Sequence, residues 1–120
     1  MIAGRRLTAR LHSGFAPVVN LWLDYLEEQG VDISITSGYR SIEDQKRVCA
    51  VTSGPCATPG RSAHQFGLAL DFVAGGSVNS ADHKYAMEVA GALGFAFVRN
   101  DPVHIQHPAW EQLRQKLRRV

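Results

Sequence analysis

Ser62-Ala63-His64-Gln65-Phe66-Gly67-Leu68-Ala69-Leu70-Asp71 holds a histidine and a carboxylate seven residues apart, the carboxylate set in a strand-like run that begins just after a glycine. In that run Leu68, Leu70 and Phe72 alternate with Ala69, Asp71 and Val73, so the bulky apolar side chains take one face of a strand and Asp71 takes the lighter one. A neutral imidazole and a carboxylate are suitable zinc ligands, but a catalytic zinc site needs a third protein ligand and keeps a fourth position open for water. The third ligand has to come from elsewhere in the chain.

Three other segments carry the same kind of face. Ile33 and Ile35 in 31–36, Phe95 and Phe97 in 95–98, and Val103 and Ile105 in 103–106 can all lie against one layer of helices, together with Leu68, Leu70 and Phe72. Helices are predicted between them. Phe15, Val18, Val19, Trp22 and Leu26 form a stripe over 14–29, with Gly30 just past its end. Ser41 can cap a second helix reaching about Val51, with Glu43 and Asp44 in the first turn, where the helix dipole favours them. A third spans 81–93 on Tyr85, Met87, Val89, Ala90 and Leu93, and a last one opens at Pro108 with Trp110, Leu113 and Leu117. Residues 52–62, rich in Gly, Pro, Ser and Thr, read as an exposed loop. The expected architecture is a small α+β domain with a largely antiparallel sheet, helices on one face and a polar zinc cleft on the other.

Composition agrees. A chain of 120 residues, 45% hydrophobic and 20% charged, can build one real core. No apolar run approaches the roughly 18 residues of a membrane span, so no membrane insertion is expected. A net charge of +2 is too small to imply nucleic acid. Arg5, Arg6 and Arg10 at one end and Arg114, Lys116, Arg118 and Arg119 at the other are either solvated surface or a weak attraction for an anionic polymer such as bacterial cell wall. The first residues lack the apolar core of a secretory signal peptide, so action outside the cytoplasm would need another means of release. Cys49 and Cys56 do not have the C-x2-C spacing of a structural zinc site. They are either two free thiols or a disulfide contributing roughly 2.5 kcal/mol by loop closure.

His104 is the chosen third ligand. It alternates with Val103 and Ile105 and shares its face with Gln106, which puts it on the side of the sheet that carries Asp71. His107 falls one step out, onto the wrong face, while His12 and His83 are expected to be structural or solvated. Asp101, three residues before His104, could take a proton from a zinc-bound water and pass it to a leaving amine, although a turn-forming Asp before Pro102 looks the same locally. Arg40 follows a strand through a tight Ser-Gly-Tyr turn, and its guanidinium could hold a carboxylate or stabilise an oxyanion. A serine or cysteine hydrolase is disfavoured, because there is no G-x-S-x-G elbow and no base beside the cysteines.

Taken in order, Ser37-Gly38-Tyr39-Arg40-Ser41 with Gln45, then Pro59 through Asp71 with its S-x-H-x-x-G-x-A-x-D core, then Asp101-Pro102-Val103-His104, resemble the zinc D-alanyl-D-alanine carboxypeptidase and L-alanyl-D-glutamate endopeptidase family, which includes vancomycin-resistance carboxypeptidases and several phage endolysins. The resemblance implies Zn2+ held by His64, Asp71 and His104, an acidic catalytic residue at Asp101, and Arg40 stabilising substrate or transition state. It gives Gln45 and Ser62 supporting roles in substrate binding. It also implies the stem peptide of bacterial peptidoglycan as substrate; the chain length leads to a single zinc peptidase domain over 1–120, expected to act as a monomer. Asp101 and Val103 depart from the carboxypeptidase pattern of a glutamate and an aromatic residue at those positions, and aspartate at 101 resembles the endopeptidase branch, whereas the Pro-Gly-x-Ser-x-His-Gln run resembles the carboxypeptidases. A phage-type endolysin cutting the L-alanyl-D-glutamate bond is expected first. A D-alanyl-D-alanine carboxypeptidase and a non-catalytic, zinc-stabilised wall-binding or virion module are the alternatives. Without a signal peptide, such a protein would be made in the cytoplasm and meet the wall after release, at phage lysis or on a virion.

Overall fold

The computed structural model describes residues 2–51 and 62–113. Five strands, β1 (Ile2–Ala3), β2 (Ile33–Ser37), β3 (Ala69–Ala74), β4 (Ala96–Phe97) and β5 (His104–Gln106), form one sheet in the order β1-β2-β3-β5-β4. β1 pairs with β2 in parallel; every other pairing is antiparallel. Three helices, α1 (Ala16–Glu28), α2 (Ile42–Val51) and α3 (Ala81–Ala92), accompany two 3₁₀ turns at Arg5–Thr8 and Ala63–Phe66. A further helical turn occupies 110–113. No helix among the described residues is long and apolar enough to cross a membrane.

The core lies between the sheet and the pair α1 and α3. Pro17 stands in the first turn of α1, where its missing N–H costs nothing, and Gly30 follows the helix with φ of 78°. Between those stops α1 buries Val19, Trp22, Leu23 and Leu26. Ser80 caps α3 by accepting from the backbone N–H of His83 at 3.0 Å, and that helix buries Ala86 and Ala90. Trp22 joins the layers. Its ring meets Phe72 of β3 edge to face at 4.8 Å, and its Nε1–H donates to the Ala86 carbonyl at 3.0 Å. From the sheet come Ile33, Ile35, Leu70, Phe72 and Ile105, the alternation predicted for β2, β3 and β5.

Some expectations change. α2 does not join the helix layer: it buries only Gln45, sends that side chain toward the open face of the sheet, and leaves Ile42 exposed. Phe97, expected to face the helix layer, pairs with Ile105 but lies on the edge strand, 47% exposed, against Gly91. Val103 belongs to the turn before β5, where its carbonyl accepts from Phe72 N–H at 2.9 Å. β1 and the Arg5–Thr8 turn have no counterpart in the sequence prediction, since two residues are too few to show an alternation. Cys49 is in a disulfide, which decides against free thiols. Cys56, the 52–61 part of the predicted loop, and Leu117 of the last helix lie outside the described residues.

Candidate metal centre

Strand register brings two of the three predicted ligands together. Asp71 of β3 stands directly opposite His104 of β5, and Ser37 of β2 stands opposite Asp71 on its other side, after an irregularity between Ile35 and Ser37. Directly paired residues share a face, so Ser37, Asp71 and His104 form a row on the side of the sheet away from α1 and α3. His64 arrives from the Ala63–Phe66 turn. Ser62 Oγ accepts from His64 N–H and Gln65 Oε1 accepts from Ser62 N–H, each at 3.2 Å, a capping box that fixes the start of the turn. Gly67, with φ of 67°, closes it, and a Cβ there would fall 2.7 Å from the His12 nitrogen and 2.9 Å from the Arg10 carbonyl oxygen. Only glycine fits, which gives the motif's central glycine its reason.

Each imidazole has its outer nitrogen tied, which sets the inner one. His64 Nδ1–H donates to the Gly38 carbonyl at 2.8 Å, leaving Nε2 to face Asp71 Oδ1 at 3.2 Å. His104 Nε2–H donates to Gln106 Oε1 at 2.7 Å, leaving Nδ1 to face the same Oδ1 at 3.1 Å. With those tautomers, two nitrogen lone pairs converge on a carboxylate with no proton among them, a donor set suited to a cation. The ligand atoms lie within 4.8 Å of one another. Donors placed about 2.1 Å from a tetrahedral zinc stand roughly 3.4 Å apart, close to the two contacts with Asp71. The residues therefore fit zinc, with their outer bonds in the orienting role such partners usually have.

In the protein without metal, protons respond to the same geometry. Burial pushes the Asp71 carboxyl up, but when the facing nitrogens of His104 and His64 carry protons instead of lone pairs, their hydrogen bonds outweigh it and hold Asp71 well below the usual carboxylate range. Burial pushes His104 down, and its bonds to Asp71 and Gln106 reverse that, leaving its pKa above the ordinary histidine value.

Arg40 braces the row. Its Nη2 bonds Asp71 Oδ2, its Nη1 bonds Gln45 Oε1 and its Nε bonds Ser37 Oγ, each at 2.9 Å, while its backbone N–H donates to the His64 carbonyl at 3.0 Å. One carboxylate oxygen of Asp71 is thus held by the guanidinium and the other is left for a metal. Gln45, 1% exposed, orients Arg40 and donates toward Cys49 Sγ at 3.8 Å; Ser62, 5% exposed, supports the His64 turn. Asp101 sits in a turn closed by Asp101 N–H to Val98 O and His104 N–H to Asp101 O. Its Oδ2 is 3.9 Å from His104 Nδ1, the metal-facing nitrogen, and its side chain is open to solvent. His107 stays outside, half-buried near Phe15, with Nδ1 accepting from Ala109 N–H. The orienting roles of Gly38, Ser37 and Gln106 were not foreseen. Gln106 carried a readable signal, since it lies two residues along the same strand face as His104, but Gly38 acts through its backbone carbonyl, which no residue type announces.

A family model described as D-alanyl-D-alanine carboxypeptidase (VanY) matches residues 8–96. No curated protein is similar enough in sequence to be matched. Among solved structures, a vancomycin-resistance D,D-pentapeptidase VanY variant in complex with Zn(II) aligns with a TM-score of 0.66 at 24% identity, over 88% of this chain and 78% of that one. The Serratia marcescens L-Ala D-Glu endopeptidase ChiX aligns with a TM-score of 0.64 at 20% identity, over 93% of each chain. The LdcB LD-carboxypeptidase aligns at 0.65 and 23% identity over 88% of this chain, which spans 64% of the length of that protein. These identities speak for a shared fold, and the zinc in one of them agrees with the ligand set found here. With the family model matched from Thr8 to Ala96, across the metal-site turn and β3, the chain belongs to the D-alanyl-D-alanine carboxypeptidase (VanY) family.

Proposed function

We propose that this protein is a zinc-dependent peptidase of the peptidoglycan stem peptide, acting as a phage-type L-alanyl-D-glutamate endopeptidase. The observation that carries the reading is the convergence of His64, Asp71 and His104, each with its orientation fixed, beside a solvent-open Asp101. Zinc held by these three residues would supply Lewis-acid chemistry and would lower the pKa of a bound water to about 7. Asp101 Oδ2 accepts the proton of the attacking water and delivers it to the departing amine. Arg40 spends three of its five N–H donors on Asp71, Gln45 and Ser37, and offers the other two to a substrate carboxylate or to the oxyanion of the tetrahedral intermediate. Gln45 and Ser62 serve the substrate indirectly, by keeping Arg40 and His64 in place. The protein is taken to act as a monomer that reaches the wall after release from the cytoplasm.

The family model's own description favours a second reading, removal of a terminal D-alanine by the same residues. Digestion of purified peptidoglycan followed by mass spectrometry separates the two. The endopeptidase leaves new amino termini at D-glutamate, the carboxypeptidase releases free D-alanine and shortens the stem by one residue, and a chelator stops either one. Stem peptides left intact by the zinc-loaded protein would end both readings.

A further inference from the structure

His83 takes no part in the metal site, yet it is 2% exposed and lies flat against Phe72, with ring centroids 4.7 Å apart and 18° between the planes. Both of its nitrogens are committed to backbone. Ala74 N–H donates to Nδ1 at 3.1 Å, and Nε2–H donates to the Pro102 carbonyl at 2.7 Å. A backbone N–H can only donate and a carbonyl can only accept, so the ring is fixed in its Nε2–H tautomer. The imidazole is therefore a strut. At one end is Ala74, the last residue of β3, three positions beyond Asp71; at the other is the residue that follows Asp101.

The turn that carries Asp101 has reason to need one. Its bonds Asp101 N–H to Val98 O and His104 N–H to Asp101 O are internal to the turn, and the bond from Phe72 N–H to Val103 O holds only its far end. The Asp101 side chain is 42% exposed and comes no nearer to His104 Nδ1 than 3.9 Å, so it does not anchor itself. Among the bonds of the described residues, that from His83 is the one by which a core side chain holds this turn.

We propose that His83 is a positioning residue for Asp101: it fixes the height of the 98–102 turn over the open face of the sheet, and so the reach of the Asp101 carboxylate toward the attacking water. This rests on the reading of Asp101 as the base. A misplacement of about 1 Å can cost on the order of 100-fold in rate, so a loosened turn should lower kcat while substrate binding, which falls to other residues, changes little.

Two substitutions divide the strut. In His83→Asn the short amide oxygen can still accept from Ala74 N–H but cannot reach Pro102; in His83→Gln the amide nitrogen can take the place of Nε2 and donate to Pro102. With peptidoglycan stem-peptide fragments as substrate, His83→Asn should bind zinc in wild-type amount and keep KM within about twofold while kcat falls about 10- to 100-fold, and His83→Gln should recover most of that loss. In the chelated protein, hydrogen exchange should quicken at the Asp101 and His104 amides of His83→Asn, with the β2–β3 ladder still protected. The inference is overturned if His83→Asn keeps wild-type kcat, if His83→Gln is as impaired as His83→Asn, or if exchange quickens throughout the sheet. Asp101→Ala, run alongside, tells the two failures apart. An inactive Asp101→Ala beside a fully active His83→Asn defeats the role of His83 alone, whereas an active Asp101→Ala defeats the assignment of the base and this inference with it.

Discussion

His64 and His104 face one oxygen of Asp71 with lone pairs, and what keeps them there is a set of bonds made by their outer nitrogens and by the guanidinium of Arg40. Losing such an orienting partner usually costs 10- to 100-fold in metal affinity or activity. Gln106→Leu removes the acceptor that fixes the His104 tautomer, and competition with a chromophoric chelator should show zinc affinity lowered by about that factor. Arg40→Lys keeps the charge but cannot reproduce a three-point fork to Asp71, Gln45 and Ser37, so a comparable loss is expected. Unchanged zinc affinity in both variants would contradict the orienting role. The pH dependence has a definite sign. In the metal-free protein the raised pKa of His104 contributes stability that is complete below about pH 6.5 and lost as pH rises through the raised value. The lowered pKa of Asp71 contributes stability present above the ordinary carboxylate range and lost only as pH falls through a lower value still, so it is constant near neutrality. Zinc needs His104 deprotonated and works in the opposite sense. The gap in Tm between zinc-loaded and chelated protein should therefore widen from about pH 5.5 to about pH 8; a flat or narrowing gap would contradict it.

Among the elements, the Ala63–Phe66 turn, which carries His64, depends on a glycine at its end. Gly67→Ala meets both a left-handed φ and backbone atoms of Arg10 and His12 too close for a Cβ. It should cost about 1–3 kcal/mol in urea denaturation and weaken zinc binding through His64, because that strain has no flexible side chain to absorb it. A loss below about 0.5 kcal/mol, the range of an ordinary surface change, would show that the strap through residues 10–12 yields freely. The same elements show what could be read from the sequence. The alternation in 68–73 and 103–106 is a period-2 signal anchored by a buried face, and it is enough to put Asp71 and His104 on one side of the sheet. α2 was predicted with nearly its observed bounds, yet its position away from the helix layer was not. Its polar composition fits any exposed helix, and the contact that locates it, Gln45 with Arg40, joins two residues that mark a surface equally well. His83 escaped for a related reason, since its partners are the backbone groups of Ala74 and Pro102.

The molecule as a whole keeps its core and its metal site on opposite faces of one sheet. Trp22, Phe72, Leu23, Leu26 and Ile105 are packed without help from the ligands, so zinc is expected to stabilise the fold by mass action, as any ligand of the native state does, without being needed to form it. Chelation should lower Tm while leaving the far-UV circular dichroism at 25 °C unchanged; collapse of that signal would mean that the site and core are not separable. Phe72→Ala, which removes the ring packed between Trp22 and His83, should cost about 3–5 kcal/mol. The most direct test of the account measures zinc content and stem-peptide cleavage together, in the wild type and in Asp101→Ala. One zinc per chain is expected in both proteins, with cleavage by the wild type alone, abolished by a chelator and restored by zinc. Cleavage at the wild-type rate by Asp101→Ala, or by protein stripped of metal, would contradict it.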